Sequence, residues 1–116
     1  MHDTIGCSIA VHRGLGPGLA ERIYSRALCL ELSAAGISFE REKHFEIVYR
    51  ERVIEVVRVD LVVGGEIVVE VKSIEQIVAV HHKQILNYMR VARLRAGLLL
   101  NFNVAILPDG LSRKVL

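Results

Sequence analysis

The stretch Arg58-Val59-Asp60-Leu61-Val62-Val63-Gly64-Gly65-Glu66-Ile67-Val68-Val69-Glu70-Val71-Lys72 constrains the fold more than any other part of the chain. Two β-branched runs flank a glycine pair, the pattern of two strands joined by a tight turn. Side chains alternate across a strand, so Glu70 and Lys72 point the same way. The turn then decides where Asp60 points. If Gly64-Gly65 alone formed the turn, Asp60 would face Val69, and each sheet face would mix charged with apolar groups. If Glu66 joins the loop, Val63 pairs with Ile67 and Asp60 lies opposite Glu70. That register gathers Val59, Leu61, Val63, Ile67, Val69 and Val71 on one apolar face, and Arg58, Asp60, Glu70 and Lys72 on the other. The cleaner separation favours the longer loop, whose left-handed residue glycine supplies.

Two carboxylates whose Cβ atoms sit roughly 5 Å apart across a strand pair repel one another unless a cation lies between them. Mg²⁺ suits such a place, because it takes one or two carboxylates and completes its shell with water and substrate phosphate; Mn²⁺ fits the same donors. Lys72 beside them could orient or help deprotonate an attacking water and stabilise charge in the transition state. The competing reading is a solvated salt-bridge cluster of Arg58, Asp60, Glu70 and Lys72 on an exposed sheet face.

Around this hairpin the periodicity predicts a short helix from Thr4, a turn at Gly14–Gly18, and a helix from Leu19 to about Ala35. That second helix would pack through Leu19, Ile23, Ala27, Leu30 and Ala34, with Gly36 as its terminator. Strands are expected at Ile37–Arg41, His44–Arg50, Val53–Val63, Ile67–Ser73 and Ala96–Phe102. A helix spans Val80–Arg93, and Arg113–Leu116 adds an edge strand. At 116 residues, 52% of them hydrophobic, the chain makes one domain over residues 1–116, of the α/β (α+β) class.

Beyond the hairpin, Gly16-Pro17-Gly18-Leu19-Ala20-Glu21-Arg22-Ile23-Tyr24 resembles the signature of the GxxExxY proteins through Gly18, Glu21 and Tyr24. Asp60 with Glu70-Val71-Lys72 resembles the D…ExK core of the PD-(D/E)XK nuclease superfamily, with Val59 at the position of its proline. The likeness continues through Gln84-Ile85-Leu86-Asn87-Tyr88 and Gly97-Leu98-Leu99-Leu100-Asn101-Phe102, in order along the chain. It implies a central mixed sheet flanked by helices and a nuclease activity. It also implies a catalytic set of Lys72, Glu70, Asp60 and Glu21, with Asp60, Glu70 and Glu21 as metal ligands. Glu21 would serve equally as a first-turn acid on the helix dipole. Gln84 and Tyr88 share a helical face, and the resemblance to a QxxxY element makes them substrate-binding residues, alongside Arg58. Tyr24 is expected in the core with its hydroxyl bonded to a polar partner.

A formal charge of +2 permits a polyanionic partner without demanding one. Cys7 and Cys29 lack metal-ligand spacing and read as reduced thiols, which with the absence of a long apolar run suits a cytoplasmic protein that does not enter a membrane. A small domain with an exposed apolar face could pair with a second copy, so a homodimer is expected. The leading function is Mg²⁺-dependent hydrolysis of nucleic-acid phosphodiesters, of DNA in preference to RNA. The alternative is a catalytically inactive nucleic-acid-binding or assembly module on the same fold.

Overall fold

The computed structural model describes residues 1–116. Along the chain run α1 (His2–Leu15), α2 (Glu21–Ala34), β1 (Phe39–Tyr49), β2 (Arg52–Val63), β3 (Ile67–Lys72), α3 (Ala79–Ala92) and β4 (Ala96–Asn101). A short 3₁₀ turn at Leu107–Gly110 leads into β5 (Leu111–Val115). The strands form one mixed sheet in the order β1-β2-β3-β4-β5, parallel between β3 and β4 and antiparallel elsewhere. The parallel step needs a crossover, and α3 supplies it.

The β2–β3 turn is the longer one: Val63 pairs with Ile67, and the Glu66 N–H donates to the Val63 carbonyl at 3.0 Å. Gly64 and Gly65 have φ of 61° and 69°, a left-handed pair that side-chain-bearing residues adopt only at a cost. The β1–β2 turn uses the same region without glycine, at Arg50 (φ 50°) and Glu51 (φ 64°).

Helices cover both faces. One apolar layer joins α1 and α2 to the sheet through Tyr24, Leu28, Leu32, Leu61, Val63, Ile67, Val69, Val71, Leu98, Leu100 and Phe102. The other joins α3 to it through Ile85, Met89, Val59, Val62, Val68 and Leu99. Strand β3, central and covered on both sides, is buried from Ile67 through Val71, Glu70 included. Such a strand reads as a continuous apolar run because it has no solvent face.

Four expectations are corrected. The packing face of α2 is Tyr24, Leu28 and Leu32, while Leu30 is 74% exposed. The larger side chains of that row, led by a tyrosine stacked on Phe102, bury more apolar area than the alanine-rich row beside it. Secondly, the two strands expected over Ile37–Arg50 are one, β1, with Glu42 at φ 49° inside it and a register shift against β2 between Ile47 and Val48. Thirdly, Val59 lies in the α3 layer, away from Leu61 and Val63. Alternation therefore breaks at Asp60, opposite Glu42, and β1 breaks at the same level: Phe39 packs on the α1/α2 layer and Phe45 on the α3 layer. Finally, the last strand begins earlier, at Leu111, and pairs with β4.

Candidate active site

Backbone pairing between β2 and β3 runs from Val63–Ile67 to Leu61–Val69. One step further stand Asp60 and Glu70, and there the side chains take over from the ladder. The Asp60 N–H donates to Glu70 Oε1 at 3.2 Å, and the Val71 N–H donates to Asp60 Oδ2 at 2.8 Å. Each carboxylate thus caps a backbone donor of the opposite strand, which holds the two acids face to face and fixes their orientation. Asp60 Oδ1 and Glu70 Oε2 take no part in these bonds.

Glu70 is 4% exposed. Burial and then the Asp60 charge push its carboxyl up to about 8, against smaller opposing effects of the Asp60 N–H and the Lys72 ammonium. A carboxyl that resists ionisation for these two reasons needs either a proton or a cation. The donor set fits a hard divalent ion: two carboxylates converge, each with an oxygen to spare.

Lys72 follows Glu70 on the same strand face, half-buried. Its Nζ donates to Gln84 Oε1 at 3.3 Å, and Gln84 Nε2 donates to the Tyr88 hydroxyl at 3.1 Å. The four-residue spacing on α3 stacks Gln84 and Tyr88 on one face and turns it toward β3. Burial first, then the Glu70 and Asp60 charges, raise the Tyr88 hydroxyl above its ordinary value, against the bond from Gln84. Asp60, Glu70, Lys72, Gln84 and Tyr88 are therefore one neighbourhood.

Glu21 and Arg58 are placed differently. Glu21 opens α2, is exposed, and its Oε2 accepts a long bond, 3.4 Å, from the Ser73 N–H just past Lys72. It stands at the rim: no three acidic, histidine or cysteine side chains come together as a ligand set. Arg58 points to Glu42 at 3.8 Å, both side chains more than half exposed, and it does not reach the carboxylates. The break in alternation at Asp60 takes it off the face that a regular strand would give it.

What brings Glu21 near β3 is the loop before α2. The Tyr24 hydroxyl donates to the Gly16 carbonyl and accepts from the Leu19 N–H at 3.1 Å. Its ring stacks on Phe102 with centroids 4.5 Å apart. Gly18, at φ 95°, lets the chain turn between them. Ser73 Oγ then donates to the Leu19 carbonyl. The sequence reading missed Ser73 and Glu42. A serine directly after the ExK lysine carried no signal by itself. The charged Arg41-Glu42-Lys43 run between two apolar phenylalanines did mark a possible break in β1.

The larger surface depressions lie elsewhere, between α1 and α2, beside Pro17 and Ile106, and between β1 and α3. Asp60, Glu70 and Lys72 line none of them. No helix is long and apolar enough to cross a membrane. A family model described as the PD-(D/E)XK nuclease superfamily matches residues 1–114. No curated protein and no solved structure gave a match.

Proposed function

Because the chain belongs to the PD-(D/E)XK nuclease superfamily, we propose that it is a metal-dependent nuclease whose centre is the Asp60–Glu70 pair with Lys72. The observation that carries this reading is the buried Glu70 carboxyl, held face to face with Asp60 by bonds from backbone N–H groups of the opposite strands. A surface salt-bridge cluster would not show it, since exposed charges keep their hydration. Asp60 and Glu70 hold Mg²⁺, with Mn²⁺ as a substitute. Bound there, the ion supplies a Lewis acid for the phosphate and lowers the pKa of a water molecule.

The protein's own groups do the rest. Lys72, oriented by Gln84, places and helps deprotonate the attacking water and offers positive charge to the developing oxyanion. Tyr88 steadies Gln84 and faces the carboxylates. Glu21, at the rim and held by the Ser73 N–H, would add negative charge near a bound ion. Arg58, exposed beside Glu42, contacts phosphate only along an extended substrate. Carboxylates that line none of the surface depressions suit a polymer better than an enclosed small ligand, and DNA is the preferred polymer. The narrower likeness to the GxxExxY proteins rests on Gly18, Glu21 and Tyr24.

The sheet face carrying Val48, Val53 and Val56, each about half exposed, is where a second copy would pack. Two free cysteines suit a reducing, cytoplasmic compartment. One observation favours the inactive-module reading: Glu21 does not converge with the other acids.

The test is cleavage of linear, single-stranded and branched DNA and RNA with Mg²⁺ or Mn²⁺, with Lys72→Ala and Asp60→Ala proteins purified identically. Cleavage by the unsubstituted protein alone supports the nuclease. Binding without cleavage supports the module. Cleavage that survives both substitutions locates the chemistry elsewhere.

A further inference from the structure

Asn101 is the last residue of β4, 2% exposed, in register with Lys72 on the neighbouring strand. A buried amide at the end of a Leu-Leu-Leu strand is costly unless each of its polar atoms is used. Here they are. Oδ1 accepts from the Ile74 N–H at 3.1 Å and the Asn103 N–H at 3.2 Å, and Nδ2 donates to the Ile74 carbonyl at 3.0 Å. Toward Ile74 the side chain therefore behaves like one more residue of a strand ladder. It extends the β3–β4 pairing beyond the point where the backbone of β3 leaves the sheet.

The consequence lies one residue upstream. Lys72 is held by its carbonyl, which accepts from the Phe102 N–H at 2.9 Å, and Ile74 is held by Asn101. Ser73, between these two anchors, has its backbone fixed. Its N–H meets Glu21 and its hydroxyl meets the Leu19 carbonyl, so the N-terminus of α2 docks on the segment that Asn101 immobilises. The Asn101 side chain hydrogen-bonds to none of the candidate site residues. Its effect on the site travels through Ser73.

We propose that Asn101 is a positioning residue: by locking Ile74 it holds Ser73, whose N–H in turn fixes Glu21 at the rim of the Asp60–Glu70 centre. This deepens the nuclease reading and rests on it. A purely structural asparagine would stabilise the fold and leave metal affinity alone. A positioning residue changes affinity, and only while the carboxylate that it positions is present. Residues that orient a metal shell from outside typically change affinity by about 10-fold or more.

The experiment is a double-mutant cycle read by Mn²⁺ titration with electron paramagnetic resonance on the whole chain, with circular dichroism confirming that each protein is folded. Asn101→Ala should weaken Mn²⁺ by about tenfold in the parent, and by less than twofold in a Glu21→Gln background. Should Asn101→Ala fail to fold, Asn101→Leu replaces it: it fills a similar volume, adds no charge and removes all three side-chain bonds, and the same non-additive pattern is expected. Unchanged affinity in a folded Asn101 variant, or an equal loss with and without Glu21, overturns this inference and leaves the carboxylate centre standing. Absence of Mn²⁺ binding to the parent chain, or binding that survives Asp60→Asn, overturns the nuclease centre itself and the inference with it.

Discussion

Strand β2 has two halves that look alike in sequence and live in different solvents. From Arg52 to Arg58 it belongs to a hairpin arm that extends past the helices, and Val53, Ile54 and Val56 stand 49–62% exposed. From Val59 to Val63 it passes between helices on both faces, and every apolar residue is at most 2% exposed. Glu46 and Glu55 on the arm keep their water. Asp60, in the inner half, is half-buried, and Glu70 beside it on β3 is 4% exposed, its carboxyl driven strongly upward by burial and the Asp60 charge. Charge carries information about function in proportion to what it costs to keep it there.

The comparison breaks first on activity. Lys72→Ala or Asp60→Ala should lower the metal-dependent cleavage rate by about 100-fold or more. Glu46→Gln and Glu55→Gln on the arm should leave it within about twofold, since exposed charges far from such features contribute little. Arg58→Ala, outside the carboxylate neighbourhood, should raise KM for long substrates more than it lowers kcat. An Arg58 variant as inactive as Lys72→Ala would erase the distinction between the halves.

Packing separates them next. Leu61→Ala, in the α1/α2 layer, should cost about 2–4 kcal/mol of unfolding free energy. At protein concentrations low enough to keep the chain monomeric, Val53→Ala on the arm should cost about 0.5 kcal/mol or less. Urea denaturation measures both, and equal losses would mean that the arm is covered in solution.

A pH profile sharpens the contrast. Glu70 has a folded-state pKa raised from 4.5 to about 8, so the folded chain holds a proton that the unfolded chain releases. In metal-free protein, stability is therefore fullest below pH 4.5 as far as this group is concerned and declines as pH rises toward 8, by on the order of a few kcal/mol. Glu70→Gln should flatten that decline and raise the melting temperature of the metal-free protein at pH 8, whereas Glu55→Gln should do neither. The smallest effect belongs to the arm's tip. Arg50 and Glu51 occupy left-handed backbone, and replacing them with Asn and Gly should stabilise the fold by about 0.5–1 kcal/mol, without changing cleavage.

Most of the centre was legible because a tight turn converts sequence spacing into geometry. Once Gly64-Gly65-Glu66 forms the loop, Asp60 must meet Glu70, and Lys72 must follow on the same side. Gln84 and Tyr88 were legible for the helical analogue of that reason. Placement failed where a residue's neighbours come from distant parts of the chain. Arg58 and Val59 were assigned by unbroken alternation, and the break at Asp60 and Glu42 depends on two strands at once. Leu30 was assigned to a core that Tyr24 claims instead, through Phe102 seventy-eight residues away. The roles of Ser73 and Asn101 are tertiary in the same sense, since each acts on backbone that its own strand does not contain.

The central claim is that Asp60 and Glu70 form a divalent-metal site, and calorimetric titration of Mg²⁺ in buffers of different ionisation enthalpy tests it most directly. At pH 7 a Glu70 carboxyl held near 8 is mostly protonated, so binding must displace that proton. The account predicts one ion per chain, release of close to one proton, and loss of both signals in Asp60→Asn. No binding, or binding that Asp60→Asn leaves intact, would contradict it.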